Sequence, residues 1–206
     1  MKFAVFIFPG VEELDFVGVY EVLAKAETMR QESSLDLSEP INVEIIGFER
    51  EIVCANGMIV KAHKLYYGLD NYDVLIIPGG RGINAFKNNK NFLEDIKQFA
   101  KSHIIASVCT GALVLAWAGI LKDRRATTHY FYRKKLEEFC KVIPERVVID
   151  ENIITAGGVS SSIDLGLELL EIFYGNKISE QVAKRIEYQK LVSLKFKPRF
   201  SWVKIF

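Results

Sequence analysis

The sequence predicts an α/β protein: a doubly wound, mostly parallel sheet sandwiched by helices, with a small β-hairpin added and a cysteine held in a nucleophile elbow. Three observations carry this expectation. Short, fully apolar runs of strand length alternate with longer helical patterns, the order that covers both faces of a parallel sheet with helices. Glycine-rich turns follow several of those runs, at Pro9-Gly10, Pro78-Gly79-Gly80 and Gly157-Gly158. Residues 104–119, IIASVCTGALVLAWAG, join an apolar strand run to an apolar helical run through Ser107, Cys109, Thr110 and Gly111.

Taken in order, residues 3–8 form a continuous apolar run, as expected of a strand buried on both faces, and Pro9 and Gly10 end it. Leu14, Val17, Tyr20, Val22, Leu23 and Ala26 space a helix over 11–25, with Asp15 near its first turn. Residues 29–40 are polar and read as a surface loop, and 41–48 as the second strand. Asn56-Gly57, flanked by 52–55 and 58–62, is the hairpin signal. Residues 74–77 are another apolar strand that runs into Pro78-Gly79-Gly80. Phe92, Leu93, Ile96, Phe99 and Ala100 line one face of a covering helix, and Gly119 stops the helix that follows the elbow. Residues 126–130 read as a short polar strand or loop, and 131–140 as a helix with Lys and Glu on its wet face. Residues 147–149 and 153–156 flank Asp150-Glu151-Asn152 as a hairpin or close strand pair. A helix over 162–174 is apolar on nearly all sides, which implies burial or a subunit interface, and a last helix begins near Ser179 as a candidate N-cap.

Composition narrows the classes. With 206 residues, half of them hydrophobic, the chain can bury one sizeable core, and no linker divides it, so a single domain over 1–206 is expected. A formal net charge of +1 supplies no global field for nucleic acid or an anionic membrane, and neither is expected as a partner. Cysteines 54, 109 and 140 contain no short Cys-x-x-Cys pair, so they form no disulfide framework and fit a reducing compartment, with the cytoplasm as the default. The first apolar run is too short for a membrane span and lacks a cleavage pattern. The segment 190–206 stands apart: its Lys and Arg alternate with Phe196, Phe200, Trp202 and Phe206, which suits a C-terminal arm packed on the body or on a partner subunit. His63 and His103 have no neighbours at ligand spacing, and no metal is expected.

The elbow supplies the chemistry. A sharp strand-to-helix turn lifts its central side chain out at the strand's carboxyl end, and here that group is a thiol. A helix N-terminus favours an anion and can lower a cysteine pKa from about 8.5 into the range of roughly 3.5–7.5. The same spacing also suits an inert thiol buried in a βα turn. Likewise, Asp15 suits a helix N-cap as well as an acid beside the thiol.

Several motifs occur in order: Phe8-Pro9-Gly10 with Leu14-Asp15, Gly18 and Glu21-Val22-Leu23; Ile77-Pro78-Gly79-Gly80; Ser107-Val108-Cys109-Thr110-Gly111; Arg125-Ala126-Thr127-Thr128-His129; and 154–160 followed by 163–167. Together they resemble the ThiJ/PfpI superfamily of class I glutamine-amidotransferase-like proteins, and within it the isonitrile hydratase branch. Val19 and the basic aromatic ending depart from the usual pattern. The resemblance implies a flavodoxin-like fold, a homodimer and a small-molecule substrate. It further implies Cys109 as nucleophile, Asp15 as its acidic partner, and Thr110 and Gly80 as donors of an oxyanion-hole type; Gly79 and His129 are supporting candidates, and His129 suits a satisfied structural histidine better. On that reading the reaction is cofactor-free hydration of an isonitrile to an N-substituted formamide. Glyoxalase-like small-carbonyl chemistry is the enzymatic alternative, and a redox sensor or binding module with an oxidisable cysteine is the alternative of another class. Protease-like and some glyoxalase-like relatives carry histidine directly after the cysteine; Thr110 stands there instead, so peptidase activity is not expected.

Overall fold

A computed structural model describes residues 1–37 and 39–189, and the expected arm over 190–206 lies outside the described residues. Its elements in order are β1 (Lys2–Ile7), α1 (Glu13–Gln31), β2 (Asn42–Gly47), β3 (Glu51–Val53), β4 (Ile59–Lys61), β5 (Lys64–Leu65) and β6 (Val74–Ile77). A 3-10 segment (Arg81–Asn88) leads to α2 (Lys90–Phe99), β7 (Ile104–Val108), α3 (Gly111–Trp117) and β8 (Arg125–Ala126). A second 3-10 turn (Tyr130–Tyr132) precedes α4 (Arg133–Leu136), β9 (Lys141–Val142), β10 (Val147–Asp150), β11 (Ile153–Ala156), α5 (Ser161–Tyr174) and α6 (Asn176–Arg185).

Seven of the described strands form one sheet in the order β10-β11-β7-β6-β1-β2-β5. All neighbours are parallel except the edge pair β10 and β11. Helices flank this sheet: α1, α5 and α6 pack on one another, while α2, α3 and the first 3-10 segment form a separate group. The all-apolar strands are those most deeply covered, with every residue from Phe3 to Ile7 and from Val74 to Ile77 fully buried. Helices on both faces leave no wet side, so these strands show no polar alternation. Phe6, Phe48, Tyr66, Phe86 and Phe92 pack edge-on or tilted into one aromatic cluster.

After β1 the chain moves to β2 on one side, then returns to β6 and proceeds to β7 on the other. The order therefore reverses between β1 and β6. There the segments leaving the two strands meet: Val11 bridges Gly80, and the Glu12 N–H donates to the Gly79 carbonyl over 2.9 Å. Ligands of open α/β sheets bind at such a switch point, beyond the strands' carboxyl ends.

Some sequence expectations are corrected. Helix α1 starts at Glu13 and runs to Gln31, so it takes in the start of the expected loop, and its buried face carries Asp15, Phe16 and Val19 while Leu14 and Val17 are exposed. The helix expected over 131–140 contracts to a 3-10 turn and the single turn of α4, because Tyr130 and Phe131 point into solvent and only Leu136 is buried. Ser179 lies inside α6 and is no N-cap; its hydroxyl donates to the Leu167 carbonyl of α5 at 2.9 Å. The two-residue strands β5, β8 and β9 carry no periodic signal. The hairpin of β3 and β4 around Gly57, which takes a φ of +96°, is as expected, as is the pairing of β10 with β11.

Candidate active site

Three strand ends and the first turn of α1 build the site. Strands β6, β7 and β11 finish in register, Ile77 beside Ser107 and Val108 beside Ala156, so the next residue of β7, Cys109, stands at the rim they share. Cys109 adopts a φ of +55°. That conformation costs a non-glycine residue about 1–3 kcal/mol and persists only when its surroundings enforce it. They do so here: the Cys109 N–H is shared between the carbonyls of Ala156 (3.0 Å) and Gly157 (2.8 Å), and the Cys109 carbonyl accepts from the buried Thr128 hydroxyl at 2.6 Å. The elbow expected around Cys109 is thus present.

Asp15, in the first turn of α1, is wholly buried. It caps nothing in its own helix; its Oδ2 accepts the Gly79 N–H at 2.9 Å, across from the end of β6. Its Oδ1 is buried and meets no donor at regular hydrogen-bond geometry, while charge and a loose side-chain contact couple the carboxyl to the Cys109 thiol. Gly79 has no room for a side chain: a Cβ there would lie 2.6 Å from both the N and Oγ1 of Thr110 and 2.9 Å from Asp15 Oδ2. The Thr110 hydroxyl accepts the Gly80 N–H at 3.0 Å and, with its own N–H, favours negative charge on the sulfur. Gly80 is therefore engaged at rest and can serve a substrate only by exchanging that bond.

Burial raises the Asp15 carboxyl from its ordinary range to about 7, opposed by the Gly79 N–H and reinforced by the charge of Glu12. Burial also pushes the Cys109 thiol well above its usual value, and the neighbouring Asp15 charge adds to this; the Thr110 donors only partly offset it. Desolvation outweighs the lowering that the helix N-terminus alone would produce. The pair rests as a thiol beside a carboxyl that shares its proton with water near neutrality. Cys109 should therefore be alkylated by iodoacetamide at least about tenfold more slowly at pH 8 than free cysteine, with a rate still climbing above pH 9. Mass spectrometry of the labelled peptides measures this, and a rate already level below pH 7 would contradict the stated protonation.

His129 does not join the pair. Its Nδ1 accepts the Phe131 N–H at 3.3 Å, its ring lies against Tyr130 with centroids 4.6 Å apart, and its edge fills the space beside Gly158. It is a wall of the site. The sequence reading missed Thr128 and Gly157 as the groups that hold the elbow; the Thr127-Thr128 pair, polar within a buried region, was the available signal. Among the described residues no three His, Cys, Asp or Glu side chains are grouped to hold a metal ion.

A cysteine in a strained strand-to-helix turn, facing a buried carboxyl from the first helix across a sheet's switch point, defines an α/β protein of the nucleophile-elbow class. Residues 1–172 match the DJ-1/PfpI family, and the chain belongs to it. It is 31% identical over 185 residues to isonitrile hydratase of Pseudomonas putida, an alignment covering 88% of this chain and 76% of that protein. It is 26% identical over 184 residues to the glutathione-independent glyoxalase DJ-1 of Schizosaccharomyces pombe, covering 83% and 90%. The solved structure of Schizosaccharomyces pombe DJ-1 matches with a TM-score of 0.78 at 24% identity, over 92% of this chain and 100% of that one. Drosophila melanogaster DJ-1beta matches at 0.80 and 22%, over 92% and 98%. These likenesses bear out the flavodoxin-like architecture.

Proposed function

We propose that this chain is an isonitrile hydratase-like lyase, working without a cofactor as a cytoplasmic homodimer. The observation that carries the reading is the coupled pair of Cys109 and Asp15, with a carboxyl titrating near neutrality; similarity to the Pseudomonas putida enzyme supports it. In the first step the Cys109 sulfur bonds to the terminal carbon of R–NC while Asp15 takes the thiol proton and returns it to that carbon, leaving a thioimidate. Water then adds to the thioimidate carbon. Asp15 removes its proton, the nitrogen gains one, and the C–S bond breaks to release R–NH–CHO and the thiol. One water is added, and nothing is oxidised or reduced. Donors at the start of α3 and at Gly80 stabilise the charge that develops.

Purified protein offered a panel of alkyl and aryl isonitriles is expected to produce the formamides, and Cys109→Ala is expected to lose at least about three orders of magnitude in rate. Survival of every isonitrile at high enzyme concentration sinks the reading. Methylglyoxal in the same panel tests the second reading, glyoxalase-type chemistry, which similarity to the Schizosaccharomyces pombe glyoxalase favours. A peptide amide completes the panel: Thr110 follows Cys109, so no adjacent Cys-His pair is available, and no cleavage is expected. Stoichiometric oxidation of Cys109 by peroxide with no turnover would instead favour a redox sensor.

A further inference from the structure

Near the elbow lies a cleft of about 420 Å³; Cys109 and Asp15 do not line it, but residues next to them in the chain or hydrogen-bonded to them do. Leu14 precedes Asp15, the Gly157 carbonyl holds the Cys109 N–H, and His129 follows the threonine that holds the Cys109 carbonyl. The rings of His129 and Tyr130 and the side chain of Leu14 offer an apolar lining. Two guanidinium groups reach the same cleft. Arg146 is committed: its Nε donates to Asp164 Oδ2 at 2.7 Å, and a terminal nitrogen reaches the Ser160 hydroxyl at 3.3 Å. Arg133, half-buried, forms no ion pair among the described residues, and its Nε is fully covered without an acceptor. The acid on this rim is Glu145, which is exposed and likewise forms no ion pair among the described residues.

We propose that this cleft holds the N-substituent of the substrate and that Arg133 recognises an anionic group, a carboxylate, on that substituent. The inference rests on the hydratase reading of the same site and adds its substrate class: a carboxylated isonitrile with a ring or alkyl body. Guanidinium binds carboxylate through paired, charge-assisted hydrogen bonds, so a carboxylate arriving in the cleft would take the terminal nitrogens of Arg133, which pair with no acid among the described residues, while Nε stays covered. Glu145 works against that anion and limits affinity.

The test compares kcat/KM for 4-carboxyphenyl isonitrile and phenyl isonitrile. The wild-type protein is expected to favour the carboxylated compound about tenfold or more, the scale of one charge-assisted contact. Arg133→Gln should bring that ratio to about one and leave the neutral compound within about twofold, which also controls for folding; Glu145→Gln should raise the ratio. Hydration of both compounds without preference, or an equal loss on both in Arg133→Gln, overturns the proposal and leaves the hydratase reading standing. If neither is hydrated, the hydratase reading fails, and calorimetric titration of 4-formamidobenzoate into Cys109→Ala decides the cleft. Binding that disappears in Cys109→Ala/Arg133→Gln keeps the anion site; binding that is absent or unaltered by the second change removes it.

Discussion

Asp15→Asn is expected to yield a protein more stable than the natural one and almost inactive. The sign follows from the direction of the shift. Asp15 titrates at about 7 in the folded protein, against an ordinary value of 3.8, so between those values the folded state holds a proton that the unfolded chain has released. Stability is then greatest below the unfolded value and declines as pH rises toward the folded one. An amide in the same place does not ionise, and its oxygen can still accept the Gly79 N–H. The gain should be close to zero at pH 4 and reach about 2–4 kcal/mol at pH 8, the scale of a shift of this size in a group so deeply buried. On the proposed mechanism catalysis should fall by about 10²–10⁴, because Asp15 is the group that moves the protons there. Denaturant titrations at pH 4, 6 and 8 measure the first effect. A variant less stable than the natural protein at pH 8, or a difference independent of pH, would show that the carboxyl is not buried at a cost.

Gly111→Ala is expected to damage the fold itself. Gly111 opens α3 directly under the end of β6, where an added Cβ would collide with the carbonyl oxygen of Ile77 and lie 2.9 Å from that of Pro78. Both obstacles are backbone in the centre of the sheet, so neither can swing aside. The helix must lift, and with it the strained turn that carries Cys109. A loss of about 3 kcal/mol or more is expected, which lowers the melting temperature by about 6–12 °C in a chain of this length. Thermal unfolding followed by circular dichroism reads this directly. A melting temperature unchanged within about 2 °C would mean that α3 tolerates displacement and that the elbow is held less tightly than its hydrogen bonds indicate.

The two variants separate the two things this sequence encodes. Strands β1, β6, β7 and β11, the elbow and the Asn56-Gly57 hairpin were all legible in the chain, because each depends on neighbouring residues. A run of four to six apolar residues closed by Gly or Pro has few fates other than a covered strand, and a small-residue turn between strand and helix has few other than an elbow. Helix α4 was overestimated because charged residues with good helix propensity suit a helix whether or not a core lies beneath them, and here only Leu136 finds one. Tertiary contact decided the rest. Asp15 and Gly79 are far apart in sequence, and only the reversal of strand order between β1 and β6 makes the carboxyl a partner of Cys109 instead of a cap for α1. The protonation of the pair belongs to the same level. A helix N-terminus, visible in sequence, argues for thiolate; burial, which exists only once the sheet and helices have closed around the site, argues more strongly for thiol.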